Sequence, residues 1–214
     1  MKKLVITACV LLGLVLNAHA QYDPEAKTIL DNMSARYKQL ESFQATVTYS
    51  ISNDIENLNE FYEGEVAVSG DKYRLNMGGQ EVINDGTTLW TYLEEVNEVN
   101  ITDYDPDGEE ITPSQIYSLY QDGYNYAYIS DREVEGSVYQ IVELVPEDKE
   151  SQFFKIRLEI GKEDATLRSW QMFDQNGNVY EYLITDFEQN PELAANYFTF
   201  VEADYDGVDV VDFR

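Results

Sequence analysis

A strict two-residue alternation of apolar and polar side chains begins at Phe43 and recurs along most of the chain. Such a period predicts half-buried β-strands with one wet face. Short turn sequences containing Gly, Asn and Asp separate the runs, which is typical of an antiparallel meander. The apolar positions of the first run are Phe43, Ala45, Val47, Tyr49 and Ile51.

One turn stands at the centre of the meander. Val82 and Ile83 precede Asp85-Gly86, and an alternating, aromatic strand up to Tyr92 follows. This pattern predicts a hairpin with a two-residue turn in which Asp85 and Gly86 both take positive backbone angles. The resulting register should turn Leu89 or Trp90 toward the interior.

Two segments depart from the two-residue period. Asp23-Pro24-Glu25 is typical of a helix start, and apolar residues at helical spacing continue to about Leu40. A short helix is predicted at residues 113–121. Beside the hairpin arms within 82–92, strands are predicted at 43–52, 61–68, 73–77, 96–101, 126–134, 138–145, 153–160, 166–173, 179–187 and 198–201, with a tail at 207–210. About eleven antiparallel strands with helices against a single face indicate an α+β fold built on one curling sheet.

Residues 1–20 have the character of a secretory signal peptide. Lys2 and Lys3 precede an apolar run, and Ala18-His19-Ala20 forms a small-x-small cleavage site before Gln21. We therefore expect cleavage after Ala20, a periplasmic location and one domain at 21–214. Residues 6–9 also resemble a lipoprotein-processing box, which would leave a lipidated Cys9, but the apolar run before Cys9 is short for that purpose.

The charge and the residue types of the mature chain exclude several functions. The formal net charge of −27 becomes −29 once two lysines leave with residues 1–20, and such a surface repels nucleic acid. The sole Cys and the sole His also lie before residue 21. Thiolate nucleophiles, Ser-His-Asp triads and thiolate or imidazole zinc sites are thereby excluded, whereas carboxylate chemistry is not.

The acidic loop at residues 103–110 begins with the spacing of a calcium loop. The twelfth position, where an EF-hand needs a bidentate Glu, is Ser114. A solvated loop is the simpler interpretation, and we expect no metal and no cofactor.

Several short motifs together resemble the LolA family of periplasmic outer-membrane lipoprotein carriers. The Asp-Gly-x-x-Leu-Trp sequence from Asp85 to Trp90 is the most specific of them. The motifs, in family order and spacing, lie at residues 42–45, 84–92, 112–113, 174–182, 197–200 and 207–210.

This resemblance implies a fold and a function. The fold would be an incomplete antiparallel β-barrel of about eleven strands, with a helical lid over an apolar cavity. The function would be to take acylated lipoproteins from an ATP-driven inner-membrane releasing complex, shield their acyl chains and deliver them to an outer-membrane acceptor. Such a protein is not an enzyme, and we expect a monomer.

The predicted lipid-binding residues are the apolar side chains that this fold would place along the cavity. Each of them is also compatible with plain core packing. They are Met33, Tyr37, Leu40, Ala45, Val47, Tyr49, Val66, Val68, Tyr73, Leu75, Leu89, Ile101, Ile116, Leu119 and Tyr120.

One basic residue bears on the opening of the lid. The family holds an arginine at the end of the second strand, and the corresponding position here is Ser69-Gly70. Arg74 in the next strand is the candidate to replace it as the lid-gating residue, although a solvent-facing strand residue is the simpler interpretation.

Two other functions remain open from the sequence. A lipid sensor or outer-membrane acceptor would share the same fold, and a lipidated Cys9 would favour it. A carboxylate hydrolase would need a buried acidic pair within the cavity.

Overall fold

The computed structural model describes residues 23–106, 108 and 111–214. The predicted signal peptide and its cleavage site lie outside the described residues. So do Asp107, Glu109 and Glu110 of the acidic loop.

The described part of the chain starts with an α-helix, α1 (Pro24–Lys38). Asp23 caps it, because its Oδ1 accepts hydrogen bonds from the backbone N–H groups of Glu25 at 2.8 Å and Ala26 at 3.4 Å. The helix ends two residues before the predicted limit at Leu40.

Twelve strands follow and form one sheet. In chain order they are β1 (Phe43–Asn53), β2 (Leu58–Ser69), β3 (Lys72–Met77), β4 (Gln80–Asn84), β5 (Thr88–Leu93), β6 (Glu98–Asp103), β7 (Tyr124–Val134), β8 (Ser137–Pro146), β9 (Phe153–Gly161), β10 (Leu167–Asp174), β11 (Val179–Gln189) and β12 (Asp209–Asp212).

The sheet is open. Its order is β12-β6-β5-β4-β3-β2-β1-β11-β10-β9-β8-β7, so β12 and β7 form its two edges. Every pairing is antiparallel except that of β12 with β6, which is parallel. The count is therefore twelve, where the sequence predicted about eleven.

Two predicted elements need correction. Residues 113–121 form turns and only a three-residue 3₁₀-helix, Leu119–Gln121, in place of the predicted short helix. Residues 198–201 form no strand, and the last strand is β12 in the predicted tail. Turns use the backbone groups that this strand would have needed: the N–H of Thr199 donates to the carbonyl of Asn196 at 3.0 Å, and the carbonyl of Val201 accepts from the N–H of Asp204 at 2.9 Å.

The central hairpin turn also differs from its prediction. Gly86 has a φ of +95°, but Asp85 is not in the left-handed region. Instead, Asp85 Oδ1 accepts hydrogen bonds from the backbone N–H groups of Thr87 at 2.9 Å and Thr88 at 2.8 Å. The Asp85 side chain thus holds the turn, and Gly86 alone supplies the positive angle.

The cross-strand register sorts side chains onto two faces. Val66, Leu75 and Val82 are partners on the inner face, which we define as the face that packs against α1. On the opposite, outer face, Arg74 is paired with both Ala67 and Ile83. The main core lies between α1 and the inner face.

Candidate functional site

The candidate site is the apolar inner face of the sheet. Helix α1 contributes Ala26, Ile29, Leu30, Met33 and Tyr37 to it, and all five side chains are buried. Their spacing is that of one helical stripe, which must lie on an apolar surface. The strands supply that surface with Phe43, Ala45, Val47, Val66, Val68, Tyr73, Tyr126, Val142, Leu144, Ile156, Leu158, Ile160, Leu167 and Met172.

Two hydrogen bonds fix α1 to distant strands. The backbone N–H of Tyr128 in β7 donates to Asp23 Oδ2 at 3.0 Å, and the backbone N–H of Leu167 donates to Tyr37 Oη at 3.2 Å. The first is the largest cause of the lowered pKa of Asp23. Both ends of α1 are thus attached to the half of the sheet formed by β7 to β10.

Burial raises the pKa of Tyr37 to about 12. A raised pKa favours the neutral phenol in the folded state. The stability that this group contributes is therefore complete below about pH 10, the ordinary tyrosine value, and is lost as the pH rises through about 12.

We accordingly expect an alkaline loss of stability that depends on Tyr37. Between about pH 9 and pH 12, the wild-type free energy of unfolding should fall by on the order of 2 to 3 kcal/mol more than that of Tyr37→Phe. Urea unfolding at each pH, with tyrosinate absorbance to follow ionisation, measures this difference. An equal loss in both proteins would contradict it.

Residues 112–121, which we call the lid segment, cover one end of the core. The ring of Tyr117 stacks on that of Tyr37 with centroids 5.2 Å apart. Tyr120 Oη donates to Asp31 Oδ1 at 2.8 Å, and Gln121 Nε2 donates to Ser34 Oγ at 3.2 Å. The lid segment is thus held on α1 by one ring stack and two side-chain hydrogen bonds.

At the other end, the inner face forms an open groove of about 290 Å³. Of the described residues, none from α1 or the lid segment lines it. Leu75, Met77, Val82 and Tyr182 line the groove and also pack against the buried core, so groove and core are continuous. We call this feature the tyrosine groove; its lining is Tyr49, Tyr62, Leu75, Met77, Gly78, Gln80, Val82 and Tyr182.

Aromatic contacts shape the tyrosine groove. The ring centroids of Tyr49 and Tyr182 are 4.8 Å apart, and Trp170 stacks on Tyr182 at 4.7 Å. Burial of the Tyr182 phenol raises its pKa to about 12. An apolar groove with a few phenol groups suits a ligand that is mostly hydrocarbon.

The predicted lipid-binding residues occupy four kinds of position. Leu40, Leu75, Leu89 and Leu119 are partly buried against the core, and Tyr49 lines the groove. Ile101 needs correction, because its strand partner Trp90 is in turn paired with Ile83 on the outer face. The nine that belong to the buried core are Met33, Tyr37, Ala45, Val47, Val66, Val68, Tyr73, Ile116 and Tyr120.

Six groove residues were not predicted to bind lipid: Gly78, Gln80 and Val82 at the β3–β4 turn and in β4, and the three large side chains Tyr62, Met77 and Tyr182. Tyr62 is 40% exposed. Tyr62 and Tyr182 flank Tyr49 on neighbouring strands through the registers of β2 and β11 with β1. The two-residue period was the available signal for all three, but it does not say which strands become neighbours.

Arg74 lies on the outer face, away from α1 and the lid segment. Its Nε donates to Glu81 Oε1 at 2.7 Å, and its Nη1 donates to the carbonyl oxygen of Tyr197 at 3.0 Å. Its Nη2 donates to Tyr205 Oη at 3.3 Å, and Tyr205 Oη also donates to Glu81 Oε2. Arg74 therefore binds residues 190–208, which we call the C-terminal segment, to the outer face. It does not contact the lid segment, and it is not a free solvent-facing residue.

Carboxylates are not gathered on the inner face. Glu81 and Glu159 are buried but lie on the outer face, and Asp174 binds the backbone of its own hairpin turn at residues 174–178. Within the described ranges, no group of three or more His, Cys, Asp or Glu side chains is placed to hold a metal ion. In the same part of the chain, no helix is both long and apolar enough to cross a membrane.

The fold and the groove define the class of protein. Its members have a single open, mainly antiparallel sheet, and a helix and the lid segment cover part of the apolar inner face. A family model described as outer membrane lipoprotein carrier protein LolA matches residues 33–201. The chain belongs to the LolA family, and the membership predicted from the sequence motifs is confirmed.

Solved structures agree with this fold. An uncharacterised conserved protein from Thermus thermophilus has a TM-score of 0.60 and 16% identity, over 88% of this chain and 99% of that one. MucB of Pseudomonas aeruginosa, solved in complex with MucA, has a TM-score of 0.50 and 15% identity, over 83% of this chain and 62% of that one. No protein among the curated sequences matches significantly.

Proposed function

We propose that this protein carries acylated lipoproteins through the periplasm and shields their acyl chains on the inner face of its sheet. The observation that carries the proposal is the tyrosine groove, an open apolar surface continuous with the core in a LolA-family fold. The role requires binding and release but no covalent chemistry. Loading would come from an ATP-driven inner-membrane complex and unloading would go to an outer-membrane acceptor, with the carrier acting as a monomer.

The energetics explain why a carrier is needed. Each methylene group removed from water contributes about 0.8 kcal/mol, so the acyl chains of one lipoprotein represent on the order of tens of kcal/mol. Such chains do not leave a membrane for water unless another apolar surface covers them. The carrier must offer that surface and still release its load.

The size of the groove implies that loading changes the structure. At about 290 Å³ the tyrosine groove lies at the small end of ligand pockets, too small for several acyl chains. The lid segment is the part that we expect to give way, because it has no regular helix or strand to hold its shape. Besides the burial of Ile116 and Tyr120 in the core, one ring stack and two side-chain hydrogen bonds hold it on α1. Exchanging lid contacts for lipid contacts also lowers the net affinity, which makes release feasible.

We expect the lid segment to lose protection when the protein is loaded. Amide hydrogens of residues 112–121 should exchange at least about tenfold faster in the complex with a triacylated lipoprotein than in the empty protein. Hydrogen exchange followed by mass spectrometry measures this change, and peptides from β8 and β9 serve as the internal control. Unchanged or slower exchange in the lid segment would show that it does not move aside.

Substitution at Tyr62 tests the groove itself. Tyr62→Asp places a carboxylate in the apolar lining and should weaken binding of a fluorescent fatty-acid probe by about tenfold or more. Phe61→Asp is the matched control, because Phe61 is 75% exposed and, as the adjacent strand residue, points to the opposite face. The control should bind the probe like the wild type.

A transfer assay then tests the proposal as a whole. The purified protein should take acylated lipoprotein from inner-membrane vesicles into the soluble fraction, and Tyr62→Asp should not. If the wild type extracts neither lipoprotein nor fatty-acid probe, the carrier proposal fails. If it binds the probe but never yields a soluble complex, the same inner face serves a lipid sensor and not a carrier.

A further inference from the structure

The outer face of β7 to β10 holds a second cavity, on the side of the sheet opposite the tyrosine groove. Its volume is about 400 Å³. Ile129 and Ile141 supply an apolar wall, and Glu159 from β9 and Ser169 from β10 line it together with Asp131 and Glu181. The register places Glu159 opposite both Ile141 and Ser169, so these three side chains share one face.

Glu159 is the unusual member of this cavity, because it is a carboxylate that is only 4% exposed. Its Oε2 accepts hydrogen bonds from Arg168 Nη1 at 2.6 Å and from Ser169 Oγ at 3.0 Å. Its Oε1 is buried and accepts none. Arg132, which also lines the cavity, has its Nη1 3.5 Å from Oε1, and its side chain is 62% exposed.

A buried carboxylate oxygen without a donor carries a free-energy cost relative to one that is hydrogen-bonded. Arg132 does not remove this cost, since it reaches Oε1 only as a loose ion pair from the solvent side. A ligand that donates an N–H group to Oε1 would remove this cost. Glu159 Oε1 is itself covered, so it becomes available at the cavity wall when the exposed Arg132 side chain moves aside. The cavity is large enough for a small molecule or a side chain.

The other charges around the cavity indicate whether that ligand is a cation or an anion. Asp131 and Glu181 add two carboxylates to the lining. Asp131 is paired with Lys162 Nζ at 2.6 Å, whereas Glu181 accepts a hydrogen bond from the neutral Gln171 Nε2 at 3.1 Å. Arg157 also lines it, but its guanidinium is engaged, because Nε and Nη2 both donate to Glu143 Oε1 at 3.0 and 2.6 Å. An anion would face Glu159 and Glu181 in a chain with a net charge of −27, whereas a cation would be attracted.

We propose that this cavity binds a primary ammonium group on a short alkyl stem. The ammonium would donate to Glu159 Oε1 in place of Arg132, and its stem would pack against Ile129 and Ile141. A free alkylamine and the lysine side chain of a protein partner share this chemistry. The site is independent of lipid carriage, because it lies on the other face of the sheet.

Titration of the ¹⁵N-labelled protein with cadaverine tests the proposal. At constant ionic strength, cadaverine should shift the amide signals of Ser169 and Gln171 saturably. Tetramethylammonium carries the same positive charge per nitrogen but no N–H donor, so it should leave these signals unchanged. Equal shifts with both cations would reduce the effect to non-specific attraction by an acidic protein and would overturn the proposal.

Two variants with a matched control locate the interaction. Glu159→Gln should weaken cadaverine binding by about tenfold, since the charge-assisted bond is lost. Glu65→Gln changes an exposed carboxylate of β2 on the same face, outside the cavity, and should bind like the wild type. Arg132→Ala removes the competing guanidinium and should tighten cadaverine binding severalfold. If circular dichroism shows that Glu159→Gln is unfolded, the result for Arg132→Ala alone tests the proposal. Unchanged binding in Glu159→Gln, or no tightening in Arg132→Ala, would overturn the proposal.

A blocked lysine peptide distinguishes the two sources of the ammonium group. Tighter binding of acetyl-Gly-Lys-Gly-amide than of cadaverine would identify a protein partner. Tighter binding of cadaverine would identify a free amine. Acetylation of the lysine side chain should abolish binding of the peptide.

Discussion

Arg74→Ala is expected to lower the free energy of unfolding by about 2 to 4 kcal/mol. The substitution leaves Glu81, whose side chain is 11% exposed, without its cationic partner. It also removes the donors to the carbonyl oxygen of Tyr197 and to Tyr205 Oη, and the guanidinium that lies 5.3 Å from the Tyr197 ring centroid. Urea unfolding followed by circular dichroism measures the loss.

Lys72→Ala is the matched control for this substitution. Lys72 is an exposed cation two residues earlier on β3, hence on the same face. Its loss should change stability by no more than about 0.5 kcal/mol. A double-mutant cycle with Glu81→Ala should show strong coupling between Arg74 and Glu81.

The same variant separates a structural role of Arg74 from lid gating. Because Arg74 holds the C-terminal segment on the outer face, Arg74→Ala should bind the fatty-acid probe with wild-type affinity at a temperature where it is folded. Wild-type stability combined with altered lipid release would contradict this expectation and would favour the gating role suggested by the sequence.

Most elements of the fold could be predicted because their signals are local. The period of two in β1 and the Asp23-Pro24-Glu25 start of α1 depend on neighbours in sequence, and both elements occur where the patterns indicated. The parallel pairing of β12 with β6 could not be predicted in this way. It joins Asp209 to Glu98 across the chain, and no local pattern specifies such a partner.

The lid segment shows a second limit of local patterns. The apolar residues at 116, 117, 119 and 120 have helical spacing, yet only Leu119–Gln121 form a helical turn. Ile116 and Tyr120 are buried and Tyr117 stacks on Tyr37 without a regular helix between them. Tertiary contacts with α1, and not backbone periodicity, determine the shape of this segment.

The candidate site was predicted less completely than the fold, because both faces of the sheet bury apolar residues. Alternation separates Leu89 from Trp90 and Val68 from Ala67 but does not say which face carries the lipid. Ile101 was assigned to the wrong face for this reason. On the outer face, Ala67, Ile83, Val99 and Ile101 are buried on the side of the sheet that the C-terminal segment crosses. The tertiary contacts of Arg74, Glu81 and Tyr92 with that segment show that it covers these outer-face residues, and no local sequence pattern predicts such contacts.

Gly64 shows how closely the strands approach beside the groove. It is paired with Val47 in β1 and with Met77 in β3, so it lies on the inner face next to a residue that lines the groove. A Cβ atom at this position would clash with the carbonyl oxygen of Asn76 and would lie 2.8 Å from Met77 Cβ. The backbone oxygen cannot rotate away, so any side chain at position 64 must displace β3.

Gly64→Val is therefore expected to lower the free energy of unfolding by about 2 to 4 kcal/mol, even though valine favours strands. It should also weaken binding of the fatty-acid probe, because moving Met77 narrows the tyrosine groove. Glu63→Val is the matched control: the same side chain is introduced at an exposed position of the same strand, on the opposite face, and should be tolerated. Thermal unfolding and probe titration of both variants measure the two effects. If Gly64→Val were as stable as Glu63→Val and bound the probe normally, the close approach of β2 and β3 would not be what shapes the groove.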